Sequence, residues 1–111
     1  MKEDQLQAKC IQYAWNEHPE TRGLIYANYN NPKNAGHGAH LKAIGLLPGV
    51  ADITILWKGK AYFVELKTET GKQSKAQIKW QETITENGFE YNLIRTFETW
   101  QKLLKRIISH S

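Results

Sequence analysis

Residues 51–67, ADITILWKGKAYFVELK, decide the fold. Two runs rich in β-branched and aromatic residues flank Lys58-Gly59, a pattern that predicts a hairpin closed by a two-residue turn. The turn places Trp57 opposite Lys60 and, carried back along the ladder, Asp52 opposite Glu65. Side chains alternate across a sheet, so Ile53, Ile55, Val64 and Leu66 point to one face and Asp52, Glu65 and Lys67 to the other. A three-residue turn with a bulge would slip this register by one residue.

The two acids carry the chemistry. Directly opposed residues have Cβ atoms about 4.5–5.5 Å apart, and two carboxylates that close repel each other unless a cation lies between them. Mg²⁺ or Mn²⁺ suits such oxygen ligands, and Lys67, roughly 6–7 Å along the strand from Glu65, reaches the same ligand. The grouping suits metal-assisted hydrolysis of a phosphodiester, with the lysine ammonium orienting the attacking water or offsetting phosphate charge. The alternative is a solvated face carrying ordinary cross-strand ion pairs. Against it, Phe63 and Leu56 share that face, so the charges stand at one end of an apolar surface that a helix is expected to cover.

Working outward, residues 3–17 set Leu6, Cys10, Ile11, Ala14 and Trp15 at helical spacing ahead of Pro19. Leu24 to Tyr29 reads as a strand. Asn30 to His40 concentrates Asn, Gly and Pro and is expected to be a flexible loop, either a substrate-contacting segment or a plain surface loop, followed by a short helical turn around Leu41 to Leu47. Ser74-x-x-Gln77 has the form of a capping box opening a helix that runs to Asn87-Gly88. Phe89 to Arg95 alternates like a strand, and Trp100, Leu103, Leu104, Ile107 and Ile108 mark a closing amphipathic helix. The expected order is α-β-β-β-α-β-α, an α/β class with a central mixed sheet of about four strands flanked by helices on both faces. Trp80 and Trp100 fall among apolar helix neighbours and are expected in the core, whereas Trp57, beside Lys58 and Lys60, suits either core or surface.

With 111 residues, 41% of them hydrophobic, the chain has material for one core, expected to be a single domain over residues 1–111. The lone Cys10 excludes a disulfide framework or a structural zinc site and points to a reducing, cytoplasmic setting. No apolar run approaches the roughly 18 residues that a membrane span needs, and MKEDQLQAK lacks the apolar region of a signal peptide. A formal charge of +4 leans toward a polyanionic partner. Lys33, His37, Lys42, Lys72 and Lys75 lie in segments flanking the proposed site and are candidate phosphate contacts, with Ser74 beside them. His37 and His40 lack the further His or Cys ligands that zinc would require.

Three segments together resemble the VRR-NUC family, a compact branch of the PD-(D/E)XK nuclease superfamily. Residues 45–52, GLLPGVAD, look like the family's lead into its first metal-binding Asp, although Ala51 stands where Pro is frequent. Residues 63–67, FVELK, look like its E-x-K strand, and residues 71–80, GKQSKAQIKW, resemble the segment in which a Ser opens a helix and a Gln faces the catalytic lysine. Glu3 with Gln7 is a weaker fourth match. The resemblance runs from about Glu3 to Arg95 and implies a restriction-endonuclease-like fold. It further implies a Mg²⁺- or Mn²⁺-dependent endodeoxyribonuclease that acts as a homodimer on branched DNA such as four-way junctions, in a bacterium or phage. Asp52, Glu65 and the Leu66 backbone carbonyl would hold the metal, Glu3 would complete the site, and Lys67 and Gln77 would join Asp52 and Glu65 in catalysis. Gln77 is thus claimed by both the cap and the site, and one rotamer is expected to serve only one of them. Ile107 and Ile108 are candidates for a dimer surface. The alternative function is a nuclease-fold module that binds nucleic acid without cutting it.

Overall fold

A computed structural model describes residues 1–29 and 35–109. The hairpin forms in the expected register: β2 (Ile53–Trp57) and β3 (Lys60–Leu66) pair antiparallel from Trp57 and Lys60 down to Ile53 and Val64. Lys58 and Gly59 both adopt positive φ, 50° and 81°, as a tight turn matched to strand twist requires. β1 (Ile25–Ala27) adds antiparallel to β2, and β4 (Glu90–Ile94) adds parallel to β3, giving the order β1-β2-β3-β4. A parallel neighbour requires a crossover, and α3 (Lys75–Glu86) supplies it.

One sheet face is dry. Ile25, Ile53, Ile55, Val64, Leu66 and Ile94 meet Leu6, Cys10 and Ala14 of α1 (Glu3–Glu17) and Trp100, Leu103, Leu104 and Ile107 of α4 (Phe97–Ser109). Trp57 packs partly against this core, and Ile108 joins it too, so the apolar stripe of α4 is spent inside the fold. Trp15 is more exposed than its spacing suggested, but its indole N–H donates to the Ile25 carbonyl at 3.0 Å and ties α1 to the edge strand.

α3 covers only part of the other face. Phe63 meets Trp80 edge-on at 5.1 Å and Phe89 at 5.9 Å, and Trp80 leans on Tyr91. Leu56 stays 37% exposed, so the helix expected over this face reaches Phe63 and stops short of Leu56. The stretch read as a loop from Asn30 to His40 also differs. Helix α2 spans Ala35–Ala43, and the remainder of that stretch, residues 30–34 including Lys33, lies outside the described residues. Two glycines, two histidines and no apolar period hide such a helix from a pattern reading. Its end at Ala43 also shortens the helical turn expected to reach Leu47.

Candidate active site

An open cavity of about 480 Å³ lies where α1, α3 and the root of the hairpin converge. Asp52 and Glu65 form its floor, Ser74 and Gln77 of α3 one wall, and Glu3, Asp4 and Gln7 of α1 another. Asn28, Gly49 and Val50 close the remaining side.

Each part has a local cause. Asp52 stands one residue before β2, and its Oδ2 accepts the Leu66 backbone N–H at 2.8 Å, which turns the carboxylate toward β3. Asn28 follows β1; its side-chain amide donates to the Ala51 carbonyl at 2.8 Å and to Thr54 Oγ1 at 2.9 Å, bracing both sides of Asp52. Gly49 has φ +88° and lies against the first turn of α3. A Cβ there would fall 2.3 Å from the Ala76 carbonyl oxygen and 2.8 Å from the Gln77 nitrogen. Glycine is what lets the loop before Asp52 touch the helix that brings Gln77.

Gln77 completes the cap and reaches a cavity acid in one rotamer, contrary to expectation, and its bonded partner there is Glu65. Gln77 Oε1 accepts the Ser74 backbone N–H at 2.7 Å, completing the capping box, while its Nε2 donates to Glu65 Oε2 at 2.9 Å. An amide has an acceptor end and a donor end, and here each is used separately. The cap therefore fixes the orientation of the Glu65 carboxylate.

Glu65 is only 1% exposed, and its Oε1 is buried without a hydrogen-bond partner among the described residues. Burial, then the charge and hydrogen bond of Asp52, push its pKa from the ordinary 4.5 up to about 8, with Lys67 pulling down and Glu3 pushing up. A buried, unsatisfied oxygen beside a second acid is costly to a fold unless something positive joins it. Among the described residues no three His, Cys, Asp or Glu side chains stand together as a metal cluster, so a cation here would need donors beyond side-chain acids. With the two acids as its nucleus, the donor set fits a hard divalent ion.

Lys67, just past β3, is 9% exposed, and its backbone N–H donates to the Ile94 carbonyl at 3.0 Å. Its stem packs near Gly71, with Cδ 3.5 Å from where a Cβ on that glycine would stand. Lys42, Lys72 and Lys75 are exposed, and neither they nor His37 line the cavity. His37 of α2 instead lies beside the Tyr29 ring, centroids 6.2 Å apart.

Sequence reading missed Asn28, Gln73, Tyr91 and Arg95. The Gln73 amide donates to Gln81 Oε1 at 2.9 Å and to the Tyr91 hydroxyl at 3.1 Å. Burial first, then the Glu65 charge, push the Tyr91 phenol up to about 12. Alternation along β4 was the available signal for Tyr91, because Phe63 and Tyr91 pair across the parallel ladder.

A solved structure described as "VRR_NUC domain protein" matches with a TM-score of 0.82 over 98% of this chain and 89% of that one, at 14% sequence identity. This is the VRR_NUC fold. No protein-family model and no curated protein matches the sequence. The four-stranded mixed sheet flanked by helices is the α/β arrangement expected from the sequence, and the match agrees with the restriction-endonuclease-like fold that the resemblance implied. Asp52 and Glu65 lie at the root of its hairpin and Lys67 one residue past β3.

Proposed function

We propose that this chain is a Mg²⁺- or Mn²⁺-dependent endodeoxyribonuclease that hydrolyses phosphodiester bonds. The observation that carries the reading is Glu65: buried, one oxygen unpartnered, beside Asp52 and aimed by Gln77 into an open cavity. Asp52, Glu65 and the Leu66 carbonyl would hold the cation; Glu3, on the cavity wall but not clustered with the two acids, would have to swing in to join them. When bound, such an ion supplies positive charge at the scissile phosphate and makes water more acidic. The protein's own part is preorganisation. Asp52 is fixed by the Leu66 N–H and Glu65 by Gln77, so neither carboxylate has to reorient during the reaction. The Lys67 ammonium, on a buried stem, orients the attacking water or offsets charge on the phosphate. His37, Lys42, Lys72, Ser74 and Lys75, with Lys33, contact DNA phosphates and supply affinity that salt weakens.

The preferred substrate in this reading is branched DNA such as a four-way junction, cut by a homodimer whose two-fold axis relates two sites. Because Ile107 and Ile108 pack into the core, the dimer surface lies elsewhere; Leu24, Tyr26 and Leu56, exposed on the outer face of β1 and β2, are the apolar alternative. No described helix is long and apolar enough to cross a membrane.

The test is a panel of labelled linear, flap and four-way-junction DNAs with Mg²⁺ or Mn²⁺, run beside EDTA and Lys67→Ala. Metal-dependent cutting lost in the variant supports the nuclease, and the panel ranks its substrates. Binding without cutting under every metal would instead assign a non-cleaving binding module.

A further inference from the structure

Lys67 and Ser74 are joined by a segment, residues 68–73, that forms no helix or strand and runs from a buried lysine two residues past Glu65 to the Ser74 wall of the cavity. One end carries Lys67; the other carries the Ser74 cap that holds Gln77 on Glu65. Something must fix the path between them. The segment's own bonds are few: the Gly71 N–H donates to the Thr68 carbonyl at 3.2 Å and to Thr68 Oγ1 at 3.1 Å.

Gln73 at the far end is held by Gln81 and Tyr91, and the path of residues 68–71 is held by Arg95. It directly follows Ile94, whose carbonyl accepts the Lys67 N–H, so its Cα is anchored where β3 and β4 part. From there a single guanidinium nitrogen, Nη1, donates to the carbonyls of Thr68 at 2.6 Å, Gly71 at 2.7 Å and Glu69 at 3.3 Å. The side chain is half-buried, and no carboxylate lies within ion-pair distance of it among the described residues. Hydrogen bonds from a cation are stronger than neutral ones, and a chain that turns three carbonyls toward one nitrogen is shaped around that nitrogen. The turn also sets the Lys67 stem, because Gly71, whose carbonyl Arg95 holds, is the residue that stem packs near.

We propose that Arg95 is a positioning residue for the reaction: by holding the 68–71 turn, it sets the Lys67 ammonium and the Ser74–Gln77 cap in fixed relation to Asp52 and Glu65. It touches neither of the acids nor the cavity. The inference rests on the nuclease reading above, because its consequence is read in the chemical step.

The experiment compares steady-state cleavage by wild type, Arg95→Ala, Arg95→Lys and, as a distant destabilised control, Leu104→Ala, all well below their melting temperatures. Arg95→Ala is expected to lower kcat about 10- to 100-fold, the usual loss when a supporting partner is removed, with KM for DNA within about twofold. Because one nitrogen makes all three bonds, Arg95→Lys keeps a cationic donor and is expected to recover most of the loss. Leu104→Ala lowers Tm and leaves kcat alone. Should Arg95→Ala not fold, Arg95→Gln replaces it in the same comparison. An unchanged kcat in Arg95→Ala, a rise in KM alone, or an Arg95→Lys no better than the alanine variant overturns the inference while the nuclease reading stands. A wild type that cuts no DNA overturns the nuclease reading itself, and this inference with it.

Discussion

Val64 and Leu66 alternate with Glu65 and Lys67 along one stretch of chain, and all four are buried, yet the two pairs have opposite consequences. The first pair faces α1 and α4 in an apolar core, where removal from water stabilises the fold by about 1.5–3 kcal/mol per large side chain. In the second pair Glu65 floors a cavity of acids and amides and Lys67 is buried two residues on, where removal from water works against the charged forms. Equal burial therefore does not mean equal contribution. A fold keeps the second kind when the site has a use for groups whose ordinary solvation has been replaced by fixed neighbours.

The comparison breaks most sharply by truncating each side in turn. Lys67→Ala is expected to lower kcat by about a hundred- to a thousandfold with a small change in Tm, the scale seen when a preorganised charge is lost from an active site. Val64→Ala should do the reverse, costing about 1.5–3 kcal/mol in denaturant unfolding while the folded fraction keeps its activity, since Val64 faces the core and makes none of the cavity's bonds. Matching losses of activity per folded molecule in both variants would erase the distinction.

Gly49→Ala probes the place where the two sides meet. The added methyl would strike the Ala76 carbonyl, and the positive φ adds backbone strain, so a loss of about 3 kcal/mol is expected together with reduced cleavage as α3 carries Gln77 away from Glu65. Thermal melts and cleavage assays on the same preparation check both. The smallest effect belongs to the surface. Lys72→Ala with Lys75→Ala should flatten the dependence of log binding constant on log salt by about 0.9 for each phosphate contact removed, leaving kcat on saturating DNA nearly unchanged.

The hairpin and its register were legible because β-branched runs around Lys58-Gly59 admit few other readings, and α4 was legible from its 3.6-residue period. Helix α2 was not, because Gly36, Gly38 and two histidines give neither period nor propensity. The acids and Lys67 could be placed by alternation alone, although Asp52 falls just outside β2: its carbonyl still accepts the Asn28 N–H at 2.8 Å, but its link to β3 is made by its carboxylate rather than by the ladder. Gln77 was legible as a residue and misjudged as a choice, since a pattern does not show that the two ends of one amide point different ways. Arg95 left no signal. Its partners are backbone carbonyls, which every residue has, and only the path of the 68–71 turn selects them.

Glu65→Gln tests the second half of the comparison most directly, measured as Tm in EDTA across pH and as cleavage with Mg²⁺. The folded protein holds the Glu65 proton up to about pH 8 whereas an unperturbed carboxyl releases it near 4.5. Stability from the neutral side chain is thus fully present below the lower value and is lost as pH rises through the higher one. Glutamine stays neutral, so the variant is predicted to melt several degrees above wild type at about pH 8, to lose the wild-type decline from about pH 5 to pH 8, and to cut no DNA. A variant that melts lower than wild type at that pH, or that still cleaves, would contradict the assignment of Glu65 as an acid kept buried for chemistry.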